Sequence, residues 1–285
     1  MSTNNQPKVI LFDIGGVVVV SPFQAILDYE LGLGIPPGWV NYSISKTSPN
    51  GFWHRLERGE ILMDDAFFQG FGKDLHDPTR WEAFYNTQQG KNPKLPKEVP
   101  PLPTLDAKWL FNEMMTQSAT PDPWMYPALK KLKESNKFIV AAVSNTMIFP
   151  PGHPLHQSDY FSGPVRGLFD VFVSSAHVGL RKPDPNMYEY TLSQVNDFAR
   201  ERVKRQDGSS ASLSSGVKPA DVVFLDDIGE NLKAAKKLGF QTIKVNLGRA
   251  FEAVDELEKV TGLRLAGNHP RVAIKPRFGP AKAKI

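Results

Sequence analysis

The stretch that decides the fold is Lys8–Val20, which reads KVILFDIGGVVVV. Before Asp13 it is a continuous apolar run rich in Val and Ile, which is typical of a strand buried on both faces of a parallel sheet. The Gly15–Gly16 pair after the acid predicts a tight turn at the end of that strand. The sequence therefore predicts a buried strand that presents Asp13 at its carboxyl end.

The rest of the chain divides into two regions with different residue patterns. Aromatic residues recur at helical spacing in 21–120, which also holds a proline-rich loop at 92–103, whereas strand-like and helix-like runs alternate from 121 onward. We predict an α/β fold with a parallel sheet in 8–20 and 121–262, a helical insertion in 21–120 and a basic tail in 263–285. Four further strands are expected, at 138–143, 170–174, 222–225 and 241–245.

Composition excludes several classes of protein. With no cysteine in the chain, disulfides, thiolate metal sites and a cysteine nucleophile are excluded. The net charge of +4 comes from the tail, because residues 264–285 hold six basic residues and no acid, which leaves −2 on the remainder. We therefore expect no nucleic-acid partner. No apolar run is long enough to span a membrane, and the polar N-terminus does not resemble a signal peptide.

Polar clusters stand where the predicted strands end. They are Asp13, Ser144–Asn145, the turn with Arg181–Lys182, and Asp226–Asp227. Ligands of parallel sheets bind at the carboxyl ends of strands. Each cluster alone would be an ordinary turn or helix cap. Together they supply a nucleophile, carboxylates suited to Mg²⁺, a lysine and hydrogen-bond donors, which are the groups that phosphoryl transfer needs.

The four clusters resemble, in order, the four motifs of the haloacid dehalogenase (HAD) superfamily. The motifs read FDIGGV at 12–17, VSNT at 143–146, GLRKPDP at 179–185 and FLDDIGEN at 224–231. The later motifs are most similar to those of the phosphatase domain of soluble epoxide hydrolase, and the first to the HAD domain of acyl-CoA dehydrogenase family member 10. This resemblance implies a Rossmann-like HAD core, with the insertion forming a C1 helical cap over a small phosphorylated metabolite.

The resemblance also implies roles for individual residues. Asp13 would be the nucleophile and a Mg²⁺ ligand, and Lys182 the lysine that acts with it. The remaining implied roles are phosphate binding by Gly16, Ser144 and Asn145, metal binding by the Gly15 backbone, Asp226 and Asp227, and orientation of these carboxylates by Asn231.

One position departs from the pattern. HAD phosphatases usually carry a second Asp two residues after the nucleophile, where it serves as general acid and base, and this chain has Gly15 there. Loss of such a group typically lowers a rate by about 10²–10⁴. Four residues of the insertion are conceivable substitutes, although we expect each to be an ordinary helix-surface residue: His54, Glu57, Asp64 and Asp65.

Three functions follow from this reading. The first is a Mg²⁺-dependent phosphatase acting through an aspartyl-phosphate, slowed or restricted in substrate by Gly15. The second is a pseudoenzyme that binds a phosphorylated ligand or protein partner. The third, a dehalogenase, would need no metal, and the Asp226–Asp227 pair counts against it.

The tail bears on location. We expect a cytoplasmic protein, with peroxisomal import as the alternative, because Ala283–Lys284–Ile285 resembles a C-terminal small–basic–aliphatic signal.

Overall fold

The computed structural model describes residues 6–205 and 213–275. Its centre is a sheet of five parallel strands in the order β3-β2-β1-β4-β5. The α/β class and the parallel sheet are thus confirmed. The strands are β1 (Val9–Phe12), β2 (Ile139–Ser144), β3 (Val171–Ser174), β4 (Val222–Asp226) and β5 (Gln241–Lys244).

Helices cover both faces of the sheet. Side chains alternate along each strand, so Ile10 and Phe12 face one apolar core while Val9 and Leu11 face another. Helices α7 (Met125–Ser135) and α11 (Ala250–Thr261) pack in the first core, and α9 (Pro185–Lys204) and α10 (Gly229–Lys237) in the second. A short helix, α8 (Ser175–Val178), follows β3 directly.

Strand bounds differ from the predictions by one residue at most. Helix α9 begins at Pro185, because Asp184 caps it by accepting from the Asn186 N–H at 2.9 Å and proline suits the first helical turn. Helix α7 begins at Met125. There Asp122 accepts from the N–H groups of Trp124 and Met125 at 2.9 and 2.7 Å.

Six helices lie within 21–120. They are α1 (Pro22–Leu33), α2 (Trp39–Lys46), α3 (Phe52–Glu57), α4 (Asp65–Leu75), α5 (Pro78–Lys91) and α6 (Ala107–Gln117). The helices share an apolar core of their own that contains Trp53, Phe67 and Trp81, as the helical spacing predicted. The proline-rich stretch 92–103 is without helix or strand.

The chain enters and leaves this helical segment through two paired stretches. Val19 bridges Pro121 in antiparallel fashion, the Val20 N–H donates to the Thr120 carbonyl at 2.8 Å, and the Asp122 N–H donates to the Val18 carbonyl at 2.8 Å. We call these paired stretches, residues 18–20 and 120–122, the connecting ribbon.

Among the described residues, no helix is long and apolar enough to cross a membrane. The sequence Ala283–Lys284–Ile285 lies outside the described residues.

Candidate active site

The site lies at the carboxyl edge of the sheet, where β1, β2 and β4 end side by side. Asp13 directly follows β1, and its N–H donates to the Leu225 carbonyl of β4 at 2.8 Å, which continues the ladder by one residue. Asp226 is the last residue of β4 and Ser144 the last of β2. The parallel register therefore delivers these polar side chains to one edge.

Lys182 holds two of these carboxylates together. Its Nζ lies 2.8 Å from Asp13 Oδ2 and 2.7 Å from Asp226 Oδ2, and its side chain has no solvent exposure. Burial by itself would lower the pKa of Lys182, but the two carboxylates outweigh burial and the pKa lies above its ordinary value. The lysine is therefore a fixed positive charge against the candidate nucleophile.

Asp13 is buried, and its surroundings raise its pKa. Burial raises its pKa to about 6, and the charge of Asp226 adds to this effect, while Lys182 and the Ile14 N–H oppose it. That N–H donates to Asp13 Oδ1 at 2.6 Å and leaves Oδ2 facing the lysine. A cation bound beside Asp13 would favour its ionised, nucleophilic form.

The two acids of the Asp226–Asp227 pair have different surroundings. Both oxygens of fully buried Asp226 are engaged, since Asn231 Nδ2 donates to them at 3.1 and 3.0 Å and the Ile228 N–H donates to Oδ1 at 2.7 Å. Among the described residues, the Asp227 carboxylate accepts one long hydrogen bond of 3.4 Å from Ser21 Oγ, while Lys244 Nζ donates to the Asp227 backbone carbonyl. Its pKa is raised well above the ordinary value, first by burial and then by the charges of Asp13 and Asp226.

These carboxylates fit a divalent cation. Asp13, Asp226 and Asp227 each offer one oxygen, and the three oxygens lie within 4.8 Å of one another. A Cβ on Gly16 would lie 2.2 Å from Asp227 Oδ2, so the glycine makes room for that carboxylate. Three clustered carboxylates with one lysine leave excess negative charge, which a hard cation such as Mg²⁺ would neutralise.

Residues predicted to hold phosphate have varied contacts. Ser144 is buried at the end of β2. Asn145 accepts from the Lys182 N–H at 2.8 Å and donates to the Lys182 carbonyl at 3.1 Å, so its side chain fixes the turn that carries the lysine. The Gly16 N–H donates to the Val19 carbonyl at 3.0 Å.

Gly15 leaves the site without a carboxylate two residues after Asp13. A Cβ built on Gly15 would meet Pro22 Cδ at 3.5 Å, an ordinary contact, and its φ is outside the left-handed region. A Cβ at this position is therefore sterically acceptable, and the backbone does not require glycine here.

The four conceivable substitutes fall into two groups. Asp64 accepts from the Phe67 N–H at 2.9 Å as the cap of α4, and exposed Asp65 pairs with Lys108, as expected for surface residues. The expectation of a helix-surface position is wrong for His54 and Glu57, which are 3% and 6% exposed. Helix α3 contacts both α4 and α8, and α8 belongs to the described part of the chain outside 21–120, which we call the sheet domain.

Several contacts of the site have no clear signal in the sequence. Tyr188 of α9 donates its hydroxyl to the Asn231 carbonyl at 2.9 Å, and Glu57 pairs with Arg181 at 2.7 Å. Neither partner could be assigned from spacing, because the residues are 43 and 124 positions apart. Ser21, which faces Asp227, could have been found, since Ser before Pro is a common start of a helix.

Three curated relatives resemble the chain over 90% of its length. They are acyl-CoA dehydrogenase family member 10 of Mus musculus at 26% identity, bifunctional epoxide hydrolase 2 of Sus scrofa at 26%, and the sesquiterpene phosphatase astK of Aspergillus oryzae at 25%. The matched regions cover 19%, 39% and 97% of these proteins, so the chain spans well under half of the first two.

A solved structure and a family profile complete the comparison. A HAD family enzyme of Bacteroides thetaiotaomicron, crystallised with magnesium and inorganic phosphate, aligns with a TM-score of 0.41 at 19% identity, covering 84% of this chain and 93% of that one. The profile of the haloacid dehalogenase-like hydrolases matches residues 7–239. The chain accordingly belongs to the haloacid dehalogenase-like hydrolase family.

Proposed function

We propose that the protein is a Mg²⁺-dependent phosphomonoester hydrolase in which Asp13 is the nucleophile. The observation that carries the proposal is the placement of Lys182 within 2.8 Å of both Asp13 and Asp226, beside a third carboxylate. The buried ammonium group of Lys182 would neutralise a phosphate oxygen as well as the nucleophile. Relatives that include a phosphatase, and a family enzyme crystallised with magnesium and phosphate, support it.

Two steps account for hydrolysis. An Asp13 carboxylate oxygen forms a bond to phosphorus as the ester oxygen leaves with the bonding electrons and takes a proton from water. A second water then attacks phosphorus, and the bond from phosphorus to the Asp13 oxygen breaks, which restores the carboxylate and releases inorganic phosphate; the proton that this water gives up neutralises the hydroxide left in the first step. Asp13, Asp226 and Asp227, with the Gly15 backbone, would hold Mg²⁺, which supplies electrostatic stabilisation of the phosphoryl oxygens. Ser144, Asn145 and Gly16 would bind the phosphate.

Gly15 sets the expected substrate range. Because no carboxylate at position 15 protonates the leaving oxygen, esters with good leaving groups should be preferred, such as sugar 1-phosphates, acyl phosphates or aryl phosphates. We therefore assign a small phosphorylated metabolite with an activated leaving group as the substrate class. The helices in 21–120 would serve as a cap over it.

The same glycine favours a second candidate function. A HAD scaffold without this acid could bind a phosphorylated ligand or protein partner without useful turnover. Removal of a general acid and base is a common cause of such loss, since it lowers rates by about 10²–10⁴. The intact Asp13, Lys182 and Asp pair favour activity.

A phosphatase panel distinguishes the two. Wild type, Asp13→Asn and Gly15→Asp are assayed with and without Mg²⁺ on alkyl and aryl phosphates. The hydrolase is supported by Mg²⁺-dependent turnover of aryl esters that Asp13→Asn abolishes. Turnover that persists in Asp13→Asn contradicts the covalent mechanism, and turnover by Gly15→Asp alone favours the binding protein.

A further inference from the structure

Helix α3 touches the sheet domain beside the turn that carries Lys182. Oε2 of Glu57 lies 2.7 Å from Arg181 Nη2 and accepts from Arg181 Nε at 2.8 Å. The side chains of this pair are only 8% and 18% exposed. A charged pair with so little exposure has lost most of its hydration, so removing one partner would leave the other charge buried and uncompensated.

The backbone of Glu57 is held at the same place. Ser175 Oγ donates to the Glu57 carbonyl at 2.5 Å and accepts from the Thr146 N–H at 2.8 Å. Two residues on, a Cβ at Gly59 would lie 2.3 Å from the Ala176 carbonyl oxygen, and Gly59 has a φ of 66°. The close approach of these two backbones therefore requires glycine, and it brings Glu57 within reach of Arg181.

The turn that holds Arg181 is fixed from two sides. Asn145, at the end of β2, exchanges two hydrogen bonds with the Lys182 backbone, while Glu57 binds Arg181 from the helical segment. Lys182 is the next residue, and its Nζ must lie within 3 Å of two carboxylates at once. A shift of the turn that moves Lys182 Nζ about 1 Å away from the two carboxylates would lengthen both contacts beyond hydrogen-bond range.

We propose that Glu57 is a positioning residue that acts through Arg181 to hold Lys182 against Asp13 and Asp226. The site is then complete only while α3 is seated on the sheet domain, so seating of the helical segment and placement of the lysine are one event. This inference rests on the proposed hydrolase function for its catalytic consequence. Its geometric part, the placement of Lys182, is testable without turnover.

The consequence for turnover is specific. Misplacement of a catalytic group by about 1 Å can lower a rate by about 10². In Glu57→Gln we expect kcat on an aryl phosphate to fall 10- to 100-fold, while KM changes less than threefold, because Ser144 and Gly16, two of the groups proposed to bind phosphate, do not lie on or contact this turn. A purely structural ion pair would instead change thermal stability and leave kcat of the folded fraction unaltered.

The test that does not depend on activity is acetylation of lysines. Wild type and Glu57→Gln are treated with limiting acetic anhydride, and labelling of Lys182 is measured by peptide mass spectrometry, normalised to exposed Lys204 and Lys233. Glu60→Gln is the matched control, since Glu60 pairs with Arg58 in an exposed position nearby. We expect Lys182 to be protected in wild type and in Glu60→Gln, and labelled at least fivefold faster in Glu57→Gln.

A double variant with the two charges exchanged controls for misfolding of the single variant. In Glu57→Arg combined with Arg181→Glu, the ion pair is restored with opposite polarity, and we expect protection of Lys182 to recover at least half of its wild-type level. The inference is overturned if Lys182 stays protected in folded Glu57→Gln, or if the double variant folds and leaves Lys182 exposed. If the wild type shows no turnover but Lys182 is labelled faster in Glu57→Gln as expected, the hydrolase is refuted and the positioning role is supported.

Discussion

Adjacent glycines after Asp13 should respond in opposite ways to the same substitution. Gly16 has a φ of 76°, in the left-handed region, and a Cβ there would lie 2.2 Å from Asp227 Oδ2. Gly15 has no positive φ, and its Cβ would meet Pro22 at an ordinary 3.5 Å. Alanine at Gly16 should therefore be strained and should displace Asp227, whereas alanine at Gly15 should fit.

The magnitudes follow from these two conformations. A left-handed non-glycine residue costs about 1–2 kcal/mol. Replacing glycine by alanine where the backbone permits gains about 0.4–1 kcal/mol, through the unfolded chain. The free energies of unfolding of Gly16→Ala and Gly15→Ala should thus differ by about 2 kcal/mol, before any cost of moving Asp227 is added.

Urea unfolding followed by tryptophan fluorescence measures this difference. The comparison is valid if the slope against urea is the same in both variants. The titration is repeated with Mg²⁺, which should add about 2.7 kcal/mol at a hundredfold excess over its dissociation constant in wild type and Gly15→Ala. In Gly16→Ala we expect at least tenfold weaker binding, and so about 1.4 kcal/mol less stabilisation. Equal urea midpoints would refute the argument from strain, and an equal gain from Mg²⁺ would refute the placement of Asp227.

Three further predictions concern buried charges. Lys182→Met leaves Asp13 and Asp226 without their cation, so the free energy of unfolding should fall by about 3–5 kcal/mol at pH 8. The loss should be smaller at pH 5, because burial raises the pKa of Asp13 to about 6 and this acid is then protonated. Equal losses in thermal melts at both pH values would contradict this. Asn231→Asp places a further carboxylate against both oxygens of Asp226, so it should lower the melting temperature at pH 8 more than Asn231→Leu does. Differential scanning fluorimetry measures the two melting temperatures, and a larger decrease in Asn231→Leu would contradict this. Burial raises the pKa of Glu30 from 4.5 to about 7, although backbone N–H groups donate to its carboxylate. Between pH 4.5 and 7 the folded state therefore binds the extra proton, and the free energy of unfolding should decline as the pH rises through this range. Urea titrations should show a shallower decline with pH in Glu30→Gln, and the same decline in both proteins would rule this out.

Local pattern predicted the sheet because its strands are short apolar runs that end in polar residues. Strand β1 ends just before Asp13, where the acid and two glycines break the run. The later valines in the same stretch were less informative. The N–H groups of Val17, Val18 and Val19 all donate to the carbonyl of Ile14, and these valines are buried in a turn. A run of β-branched residues is typical of a strand and does not predict such a turn.

The site was predictable to the extent that its residues follow strands. The sequence places Asp13, Ser144 and Asp226 at strand ends, and the parallel register then brings them to one edge. Burial of His54 and Glu57 was not predictable, because helical periodicity reports which side of α3 is apolar but not what the other side meets. The partner of Glu57 is fixed only by tertiary packing across 124 positions.

The connecting ribbon has a consequence for how the chain can vary. Because residues 18–20 and 120–122 run side by side, the 99 residues from 21 to 119 depart from and return to a single point of the sheet domain. Such a segment can be lengthened, shortened or exchanged without changing the order or register of any strand. The ribbon begins two residues after Gly16, so a rotation of the helical segment about it would act on the turn that follows Asp13. With the helical segment as the proposed cap, the choice of substrate can vary while the strands that carry Asp13 and Asp226 keep their order.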